Sequence, residues 1–374
     1  MASSLRVIFA GGGTGGHLFP ALAIADELKK LEPSAKILFV GTKDKLESRV
    51  VPSKGYPVRS IWISGFHRSL RPSNLLFPVK VIAAMIQALS IIRKFKPDVV
   101  VGTGGYVSGP VLYAATMLKV PTLIQEQNRY PGETTRFLAK RVNEVHLTFE
   151  QSKQYLSRAD NVFVTGNPTR SDLENMSVTE ALKYFRFQRS DNRKTVLVFG
   201  GSLGAHTINE AVKKNLDQLL KLNIRVIWQT GEQDYENAKI VCSQYSKEVV
   251  WRDAFIDRMD YAYAVSDLVI CRSGATTIAE LTRLGKPAIL VPYPYAVANH
   301  QVENAKALSE SSAAVVVYDH EISEKMYSTV SSLLNGKTLS QMSEQSRKLG
   351  KPSAARDIAH RVLLLTRSKD FVKV

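Results

Sequence analysis

The chain has 374 residues, more than one compact core usually holds, so we expect two domains of ordinary size. Hydrophobic residues make up 44% and charged residues 22%, proportions that exclude a disordered or fibrous protein. The net charge is +16, and residues 1–166 carry +11 of it, with 22 Lys and Arg against 11 Asp and Glu. Such a surplus attracts nucleic acid, anionic lipid or phosphorylated substrates, and charge alone does not choose among them.

The N-terminal sequence and the cysteines indicate a cytoplasmic protein. Residues 1–6 run directly into an apolar strand, without the charged and apolar regions of a secretory signal. The longest apolar stretch, residues 79–92, is interrupted by polar side chains and is too short for a transmembrane helix of ~20 residues. Cys242 and Cys271 have neither zinc-ligand nor redox-pair spacing, so we expect a reducing compartment.

Apolar runs alternate with helix-like stretches along both halves of the chain, which is a β-α-β rhythm. Runs that are apolar at every position indicate strands buried on both faces, as in a parallel sheet. We therefore predict two doubly wound, Rossmann-like α/β domains. Gly166-Asn167-Pro168 sets the boundary between residues 1–166 and 167–352, and a helix near 353–374 completes the first domain. The expected strands are 7–10, 37–40, 99–101, 122–124, 145–147, 195–199, 225–228, 268–271, 288–291 and 314–317.

Two glycine-rich turns echo each other, Gly11-Gly12-Gly13-Thr14-Gly15-Gly16-His17 and Gly200-Gly201-Ser202-Leu203-Gly204-Ala205-His206. Glycines between a strand and a helix bring backbone N–H groups against a ligand, and the helix N-terminus favours negative charge. Residues 102–105 and 272–277 follow two further strands with small or hydroxylated side chains. Ligands of open sheets bind outside the carboxyl ends of strands, so we expect the two domains to face a cleft.

The first turn has the glycine spacing of a dinucleotide-binding fingerprint. That fingerprint also needs a carboxylate ~20 positions later, at the end of the next strand. The run that ends at Val40 leads into Gly41-Thr42-Lys43, with no carboxylate placed for a ribose. This argues against a dehydrogenase.

Residues 272–277 open a helix that suits a nucleotide diphosphate. Its first N–H groups and the hydroxyls of Ser273 and Thr276 can hold a pyrophosphate at the positive helix end. Glu280, about one turn further, can accept hydrogen bonds from ribose hydroxyls. The alternative is that Ser273 caps the helix and Glu280 is an ordinary exposed residue.

No metal is expected at this site. The sequence contains no Asp-x-Asp, and we identify no His/Glu cluster with metal-ligand spacing. The charge of a leaving diphosphate would instead be met by helix dipoles, backbone N–H groups and Arg170.

His17, at the start of the first helix, is the candidate general base. Neutral imidazole suits proton abstraction near neutral pH, and a helix N-terminus disfavours its cationic form. Gln125-Glu126-Gln127-Asn128 adds polar side chains to the same rim, and Glu126 is the second candidate. His206 occupies a similar place in the second half and shares only the architecture.

The stretch 79–96 predicts a helix with a wide apolar arc, flanked by Arg68 and Arg71. One face can pack on the sheet, and the remaining apolar surface suits shallow insertion at an anionic membrane. The alternative is an ordinary core helix.

A series of motifs, in their order and spacing, resembles the MurG family of peptidoglycan glycosyltransferases along nearly the whole chain. The motifs are Gly12-Gly13-Thr14-Gly15-Gly16-His17, Gly104-Gly105-Tyr106-Val107-Ser108-Gly109-Pro110, Glu126-Gln127-Asn128, Gly166-Asn167-Pro168, Gly200-Gly201-Ser202, Phe255-Ile256 and Arg272-Ser273-Gly274-Ala275.

The resemblance implies the glycosyltransferase B fold and an inverting transfer of GlcNAc from UDP-GlcNAc to the C4 hydroxyl of the MurNAc of lipid I, forming lipid II. It implies that His17, Tyr106 and Glu126 lie toward the acceptor and that Glu280 binds the ribose. The remaining donor contacts that it implies are Thr14, Gly15, Gly16, Asn128, Arg170, Ser202, Ile256, Ala275, Thr276, Thr277 and Gln301.

The family's membrane-facing patch falls on Leu75, Val79, Ile82 and Met85, in agreement with the apolar arc. The resemblance further implies a peripheral location on the cytoplasmic face of the cell membrane. Its implied partners are lipid I, the anionic membrane surface and other cell-wall enzymes, without nucleic acid. UDP-GlcNAc is a substrate, and no tightly bound cofactor or required metal is implied.

Two positions depart from the family pattern. Leu203 stands where some members carry Gln, and an acidic residue is missing from Ala296-Val297-Ala298-Asn299-His300-Gln301.

The role of Arg170 stays open between a contact to the donor and support of a hinge. A UDP-GlcNAc 2-epimerase, and a non-catalytic nucleotide-sugar-binding or membrane-docking module, are the alternatives to the transferase.

Overall fold

The computed structural model consists of two compact units, residues 1–170 with 351–374 and residues 171–350. Each unit contains one sheet whose strand pairs are all parallel among the described residues. This confirms the predicted α/β class with two doubly wound domains. The structure describes residues 4–65, 76–157, 160–170, 173–174, 176–188, 192–334 and 336–367.

The first unit has a seven-stranded sheet. Its strands are β1 (Arg6–Gly11), β2 (Lys36–Gly41), β3 (Val58–Ser60), β4 (Val99–Gly104), β5 (Thr122–Glu126), β6 (Glu144–Leu147) and β7 (Val162–Val164). Its helices up to this point are α1 (Gly15–Leu31), α2 (Glu47–Ser53), α3 (Phe77–Phe95), α4 (Gly105–Met117) and α5 (Glu133–Leu138). The order is β3-β2-β1-β4-β5-β6-β7, so the winding reverses between β1 and β4. Their carboxyl ends form the switch point at which such sheets bind ligands.

The second unit repeats this arrangement with six strands. They are β8 (Lys194–Phe199), β9 (Ile224–Gln229), β10 (Val250–Asp253), β11 (Leu268–Cys271), β12 (Ala288–Leu290) and β13 (Ala314–Val316). The helices are α6 (Val178–Tyr184), α7 (His206–Leu220), α8 (Glu232–Val241), α9 (Met259–Val265), α10 (Ala275–Leu284), α11 (His300–Ser309), α12 (Ile322–Leu333) and α13 (Gly336–Leu349). The order β10-β9-β8-β11-β12-β13 reverses between β8 and β11.

The last helix, α14 (Ala354–Arg367), completes the core of the first unit. Alternate residues of β1 face opposite sides of the sheet, and α14 covers the side of Val7 and Phe9 together with α1. Ile358 and Val362 of α14 are fully buried there. Burial of each such side chain contributes about 1.5–3 kcal/mol, so apolar packing helps to hold α14 on this unit.

Candidate active site

At the switch point of the first unit, the backbone of the first glycine turn lies directly against the backbone at the start of α4. Gly105 has a φ of +77°, and a Cβ at this position would lie 2.5 Å from the carbonyl oxygen of Gly12. Glycine is therefore required there. Thr14 precedes α1 and is exposed, and Gly15 and Gly16 form the first positions of the helix. The N–H groups of Gly15 and Gly16 have no partner within the helix itself, whereas the N–H of His17 donates to the carbonyl oxygen of Thr14 at 3.3 Å.

Two oxygen atoms lie within hydrogen-bond distance of one ring nitrogen of His17. Its Nδ1 lies 3.1 Å from the carbonyl oxygen of Thr103 and 3.0 Å from Oε1 of Gln127. A carbonyl oxygen can only accept a hydrogen bond, so Nδ1 carries the proton and donates it. The Nε2 of the neutral ring is then the unprotonated nitrogen, which is the form that a general base needs.

Glu126, the second candidate base, has both carboxylate oxygens engaged. Oε1 accepts from the backbone N–H of Asn128 at 3.1 Å and from its side-chain amide at 3.3 Å. Oε2 accepts from the N–H of Gly132 at 3.0 Å and from the hydroxyl of Thr135 at 2.6 Å. Glu126 is buried and shapes the loop that presents Asn128. Of the two candidates, the geometry favours His17.

Two other expected residues of the first unit lie at its surface. Tyr106 is exposed in the first turn of α4, and a Cβ at Gly65 would lie 2.1 Å from Cζ of its ring. Arg170 is exposed and is the last residue of this part of the unit.

Glu47, at the start of α2, was not singled out from the sequence. It is buried, and its carboxylate accepts from the N–H of Gly13 at 2.9 Å and from the N–H and hydroxyl of Thr42 at 2.8 and 2.7 Å. A carboxylate therefore does follow β2, but it accepts a hydrogen bond from the backbone of the first glycine turn. No local pattern in the sequence predicts this contact.

In the second unit, the turn after β8 is tied to the segment after β10 by one buried side chain. Gln229 donates through Nε2 to the carbonyl oxygen of Gly201 at 2.9 Å and accepts through Oε1 from the N–H of Ile256 at 2.9 Å. Ser202 and Leu203 are exposed at the tip of the turn. The sequence indicated Ser202 and Ile256 but not Gln229, which fixes the two segments relative to each other.

Helix α10 begins after Gly274, so Ser273 is not its capping residue. The Ser273 hydroxyl instead donates to the carbonyl oxygen of Gln301 at 2.8 Å, and Oε1 of Gln301 accepts from the N–H of Tyr293 at 3.0 Å. Among the described residues, the buried Oγ1 of Thr276 has no hydrogen-bond partner. A helix N-terminus with an unpartnered hydroxyl is suited to a diphosphate.

Glu280, one turn into α10, is half-buried, and its Oε2 accepts from the hydroxyl of Tyr263 at 3.0 Å. Ala275 is buried and Thr277 half-buried on the same first turn. The structure therefore brings together the expected set of residues 275–277, Glu280 and Gln301 around one helix end.

One group of side chains has metal-ligand spacing, which the sequence interpretation missed. Ligand atoms of His206, Glu210 and Asp234 all lie within 4.8 Å of one another. The group is already paired internally: Nδ1 of His206 lies 2.9 Å from Asp234, and Lys213 forms an ion pair with Glu210. Asn209 donates to the other oxygen of Asp234 at 2.7 Å. These contacts satisfy the group with protein partners.

Helix α3 leaves an apolar row at the surface. Val79, Ile82 and Ile86 are exposed, whereas Met85 is half-buried and packs against the core. Of the expected patch, Leu75 lies outside the described residues. No helix in the described ranges is both apolar and long enough to cross a bilayer.

Residues 7–147 match the N-terminal domain of glycosyltransferase family 28, and residues 195–362 match its C-terminal domain. A protein of Flavobacterium psychrophilum is 40% identical over 97% of this chain and 98% of its own length. A protein of Prosthecochloris aestuarii is 46% identical over 98% of this chain and all of its own length. Both are named UDP-N-acetylglucosamine--N-acetylmuramyl-(pentapeptide) pyrophosphoryl-undecaprenol N-acetylglucosamine transferase.

Solved structures agree with this relationship. The crystal structure of Acinetobacter baumannii MurG superposes with a TM-score of 0.76 at 28% identity, covering 96% of this chain and 99% of that one. A UDP-N-acetylglucosamine 2-epimerase, at 17% identity and a TM-score of 0.65, covers 96% of this chain and 95% of its own, and shares the fold alone. The chain is therefore a glycosyltransferase of family 28 and belongs to the MurG family that its motifs indicate.

Proposed function

We propose that the protein transfers GlcNAc from UDP-GlcNAc to the C4 hydroxyl of the MurNAc of lipid I, forming lipid II. The names of the relatives supply the substrate pair. The structural observation that carries the proposal is the imidazole of His17, whose Nδ1 donates to Thr103 and Gln127 while Nε2 is left as a proton acceptor.

The reaction needs one proton transfer and one displacement. Nε2 of His17 takes the proton of the acceptor C4 hydroxyl as its oxygen attacks the anomeric carbon of GlcNAc. The bond between that carbon and the diphosphate oxygen breaks on the opposite face, and UDP leaves with the electron pair. The attack inverts the anomeric carbon, so the product is a β linkage.

The departing UDP carries negative charge that the start of α10 can stabilise. Residues 275–277 offer N–H groups at the positive helix end, and the hydroxyl of Thr276 adds a donor. In this proposal Glu280 accepts hydrogen bonds from the ribose hydroxyls, and Ile256 contributes to the nucleotide-sugar site. Arg170 adds a cation to the diphosphate or supports the hinge. The proposal requires no metal.

We also place the protein at the cytoplasmic face of the membrane, as a peripheral protein. The support is the exposed row of Val79, Ile82 and Ile86 on α3, in the half of the chain that carries +11 of the net charge. Apolar insertion and attraction to anionic lipid together strengthen such binding. This location brings the active site to its lipid acceptor.

The decisive experiment measures UDP release from UDP-GlcNAc with and without lipid I. We expect release only with lipid I, with GlcNAc appearing in the lipid product. His17→Ala should reduce turnover while the affinity for UDP-GlcNAc, measured by calorimetry, changes little. His360→Ala, an exposed histidine on α14, is the matched control.

Formation of an epimerised nucleotide sugar without acceptor would identify an epimerase instead. Nucleotide binding without turnover in the presence of lipid I would indicate a binding module. Full turnover of His17→Ala would remove His17 as the base and leave the substrate pair intact.

A further inference from the structure

Behind His17, three buried amide side chains form a chain of hydrogen bonds. Oε1 of Gln127 accepts from Nδ1 of His17 at 3.0 Å, and Nε2 of Gln127 donates to Oε1 of Gln125. Nε2 of Gln125 then donates to Oδ1 of Asn167 at 3.4 Å. Gln125, Gln127 and Asn167 are 1%, 2% and 3% exposed, so the chain is closed to solvent.

The surroundings of Gln127 allow its amide only one orientation. The carbonyl oxygens of Thr103 and of Gln125 also lie 2.7 and 3.1 Å from Nε2 of Gln127, so its two N–H donors are shared among three acceptors. Carbonyl oxygens can only accept, so the NH₂ group must face them and Oε1 must face His17. Nδ1 of His17 therefore meets two acceptors, Oε1 of Gln127 and the carbonyl of Thr103.

We propose that Gln127 is a positioning residue that fixes the tautomer and orientation of His17, and that Gln125 holds the Gln127 amide in place. The inference rests on the proposed role of His17 as the general base. In many enzymes a histidine acts as the base through one ring nitrogen while its other ring nitrogen donates a hydrogen bond to an orienting side chain. Here the third group is a neutral amide.

The neutral partner has a chemical consequence for His17. A carboxylate at Nδ1 would stabilise the imidazolium and make proton uptake easier, but it would also hold the ring in its protonated form over more of the pH range. The titratable groups on the neighbouring loops and strand ends include the buried carboxylates Glu47 and Glu126, together with Lys43, Asp44, Lys45, Tyr106 and Arg129. Glu47 and Glu126 accept from backbone N–H and hydroxyl donors, so neither supplies a carboxylate to Nδ1.

The first test replaces the amide by an apolar chain of similar length, Gln127→Met. We expect kcat to fall by about 10–100-fold, the range seen for the outer partners of metal-binding histidines, with the KM for UDP-GlcNAc nearly unchanged. In ¹⁵N-histidine NMR, wild-type His17 should show the Nδ1–H tautomer. In Gln127→Met only the carbonyl of Thr103 still accepts from Nδ1, so the share of the Nε2–H tautomer should rise. Gln154→Met, at an exposed position, is the control.

The second test, Gln127→Glu, separates positioning from general packing. A carboxylate beside Nδ1 stabilises the imidazolium, so the acid limb of the kcat profile should move to higher pH and activity should recover in alkaline buffer. A residue that only fills space would lower kcat equally at every pH. Gln125→Met, one step removed, should show a smaller loss of kcat and is available if Gln127→Met does not fold.

The double variant His17→Ala/Gln127→Met should be no slower than His17→Ala alone. A further loss in the double variant, or an unchanged tautomer and kcat in Gln127→Met, would overturn the proposal. NMR detects the tautomer of His17 without any turnover. A failure of the proposed base role of His17 can therefore be distinguished from a failure of the positioning role of Gln127. In the first case His17→Ala keeps its activity while Gln127→Met still alters the ring.

Discussion

The carboxylate of Glu47 accepts a 2.9 Å hydrogen bond from the backbone N–H of Gly13, which places a buried charge directly beneath the first glycine turn. A Cβ at Gly12 would lie 2.5 Å from Cδ of the same side chain. The conformation of the turn therefore depends on its contacts with Glu47 as well as on its own glycines. One of its N–H groups is already occupied and is not available to a ligand.

We expect Glu47→Gln to destabilise the first unit by about 1–3 kcal/mol at pH 7, the usual effect of losing hydrogen bonds to a buried charge. Burial alone would raise the pKa of Glu47, but hydrogen bonds from Gly13 and Thr42 outweigh it and lower the pKa. A lowered pKa contributes stability above the unfolded-state value, and this is lost as the pH falls through the folded value.

Urea unfolding of the wild type and Glu47→Gln between pH 7 and about 3.5 checks this expectation. The difference in free energy of unfolding should shrink as the pH falls below the ordinary carboxyl pKa of 4.5. A difference that stays constant over this range would show that the charge of Glu47 is not what stabilises the turn.

Gln229→Leu should weaken UDP-GlcNAc binding by up to about 30-fold, since two hydrogen bonds of about 1 kcal/mol each, which hold the two segments in place, are lost. Both the turn at Gly201 and the segment at Ile256 depend on this one amide. The KM for lipid I should change little. Calorimetry with UDP and steady-state kinetics with each substrate separate the two effects, and equal losses for donor and acceptor would contradict a local role.

Ile82→Glu and Ile86→Glu should each reduce binding to anionic vesicles without loss of stability. Both side chains are more than 60% exposed, at 62% and 63%, so a carboxylate is tolerated in water but opposes insertion into lipid. Ile240→Glu, on a side chain of α8 that is 70% exposed, is the matched control. Vesicle sedimentation measures the binding, and retained binding by both α3 variants would remove this surface from the proposal.

Arg361→Met should loosen α14 from the first unit. Arg361 donates to both oxygens of the buried Glu144, which also pairs with His146 at 3.0 Å. Burial would raise the pKa of Glu144, and hydrogen bonds from His146 and Arg361 lower it instead. Without Arg361 the buried carboxylate of Glu144 loses one of its two partners, and the free energy of unfolding should fall by about 2–3 kcal/mol. This is less than for a fully buried ion pair, because Arg361 is partly exposed to solvent.

Hydrogen exchange along α14 is the appropriate measurement for this variant. Protection of residues 354–367 should fall relative to the wild type, while protection of α7 should be retained. Arg356→Met, at an exposed position on α14, is the control. Unchanged protection of α14 would show that its apolar face alone holds it.

The central strands were predictable because each contains a run of apolar residues, as β1 and β8 illustrate: every residue after the first is buried. The edge strands β3, β7 and β10 were not predicted. Each is largely half-buried or exposed and is only three or four residues long, so none carries the signal of a buried strand. Their pairing depends on the neighbouring strands β2, β6 and β9.

The parts of the site that follow strand ends were also predictable, since His17 and residues 275–277 stand directly after glycine turns. Gln127 was expected on the rim beside His17, but its contacts, and the supporting contacts of Glu47 and Gln229, were not predicted. Glu47, Gln127 and Gln229 act through partners that are distant in sequence, such as Gly13 for Glu47. Only the assembled sheet brings these partners within hydrogen-bond distance, so no local pattern indicates them.

The position of α14 also bears on how the chain acquires its structure. Residues 171–350 lie between the body of the first unit and the helix that completes it. During synthesis the second unit is therefore fully made while Val7 and Phe9 still lack their cover from Ile358 and Val362. The first unit is therefore completed only after the second unit has been made, and until then part of its apolar sheet face lacks its cover.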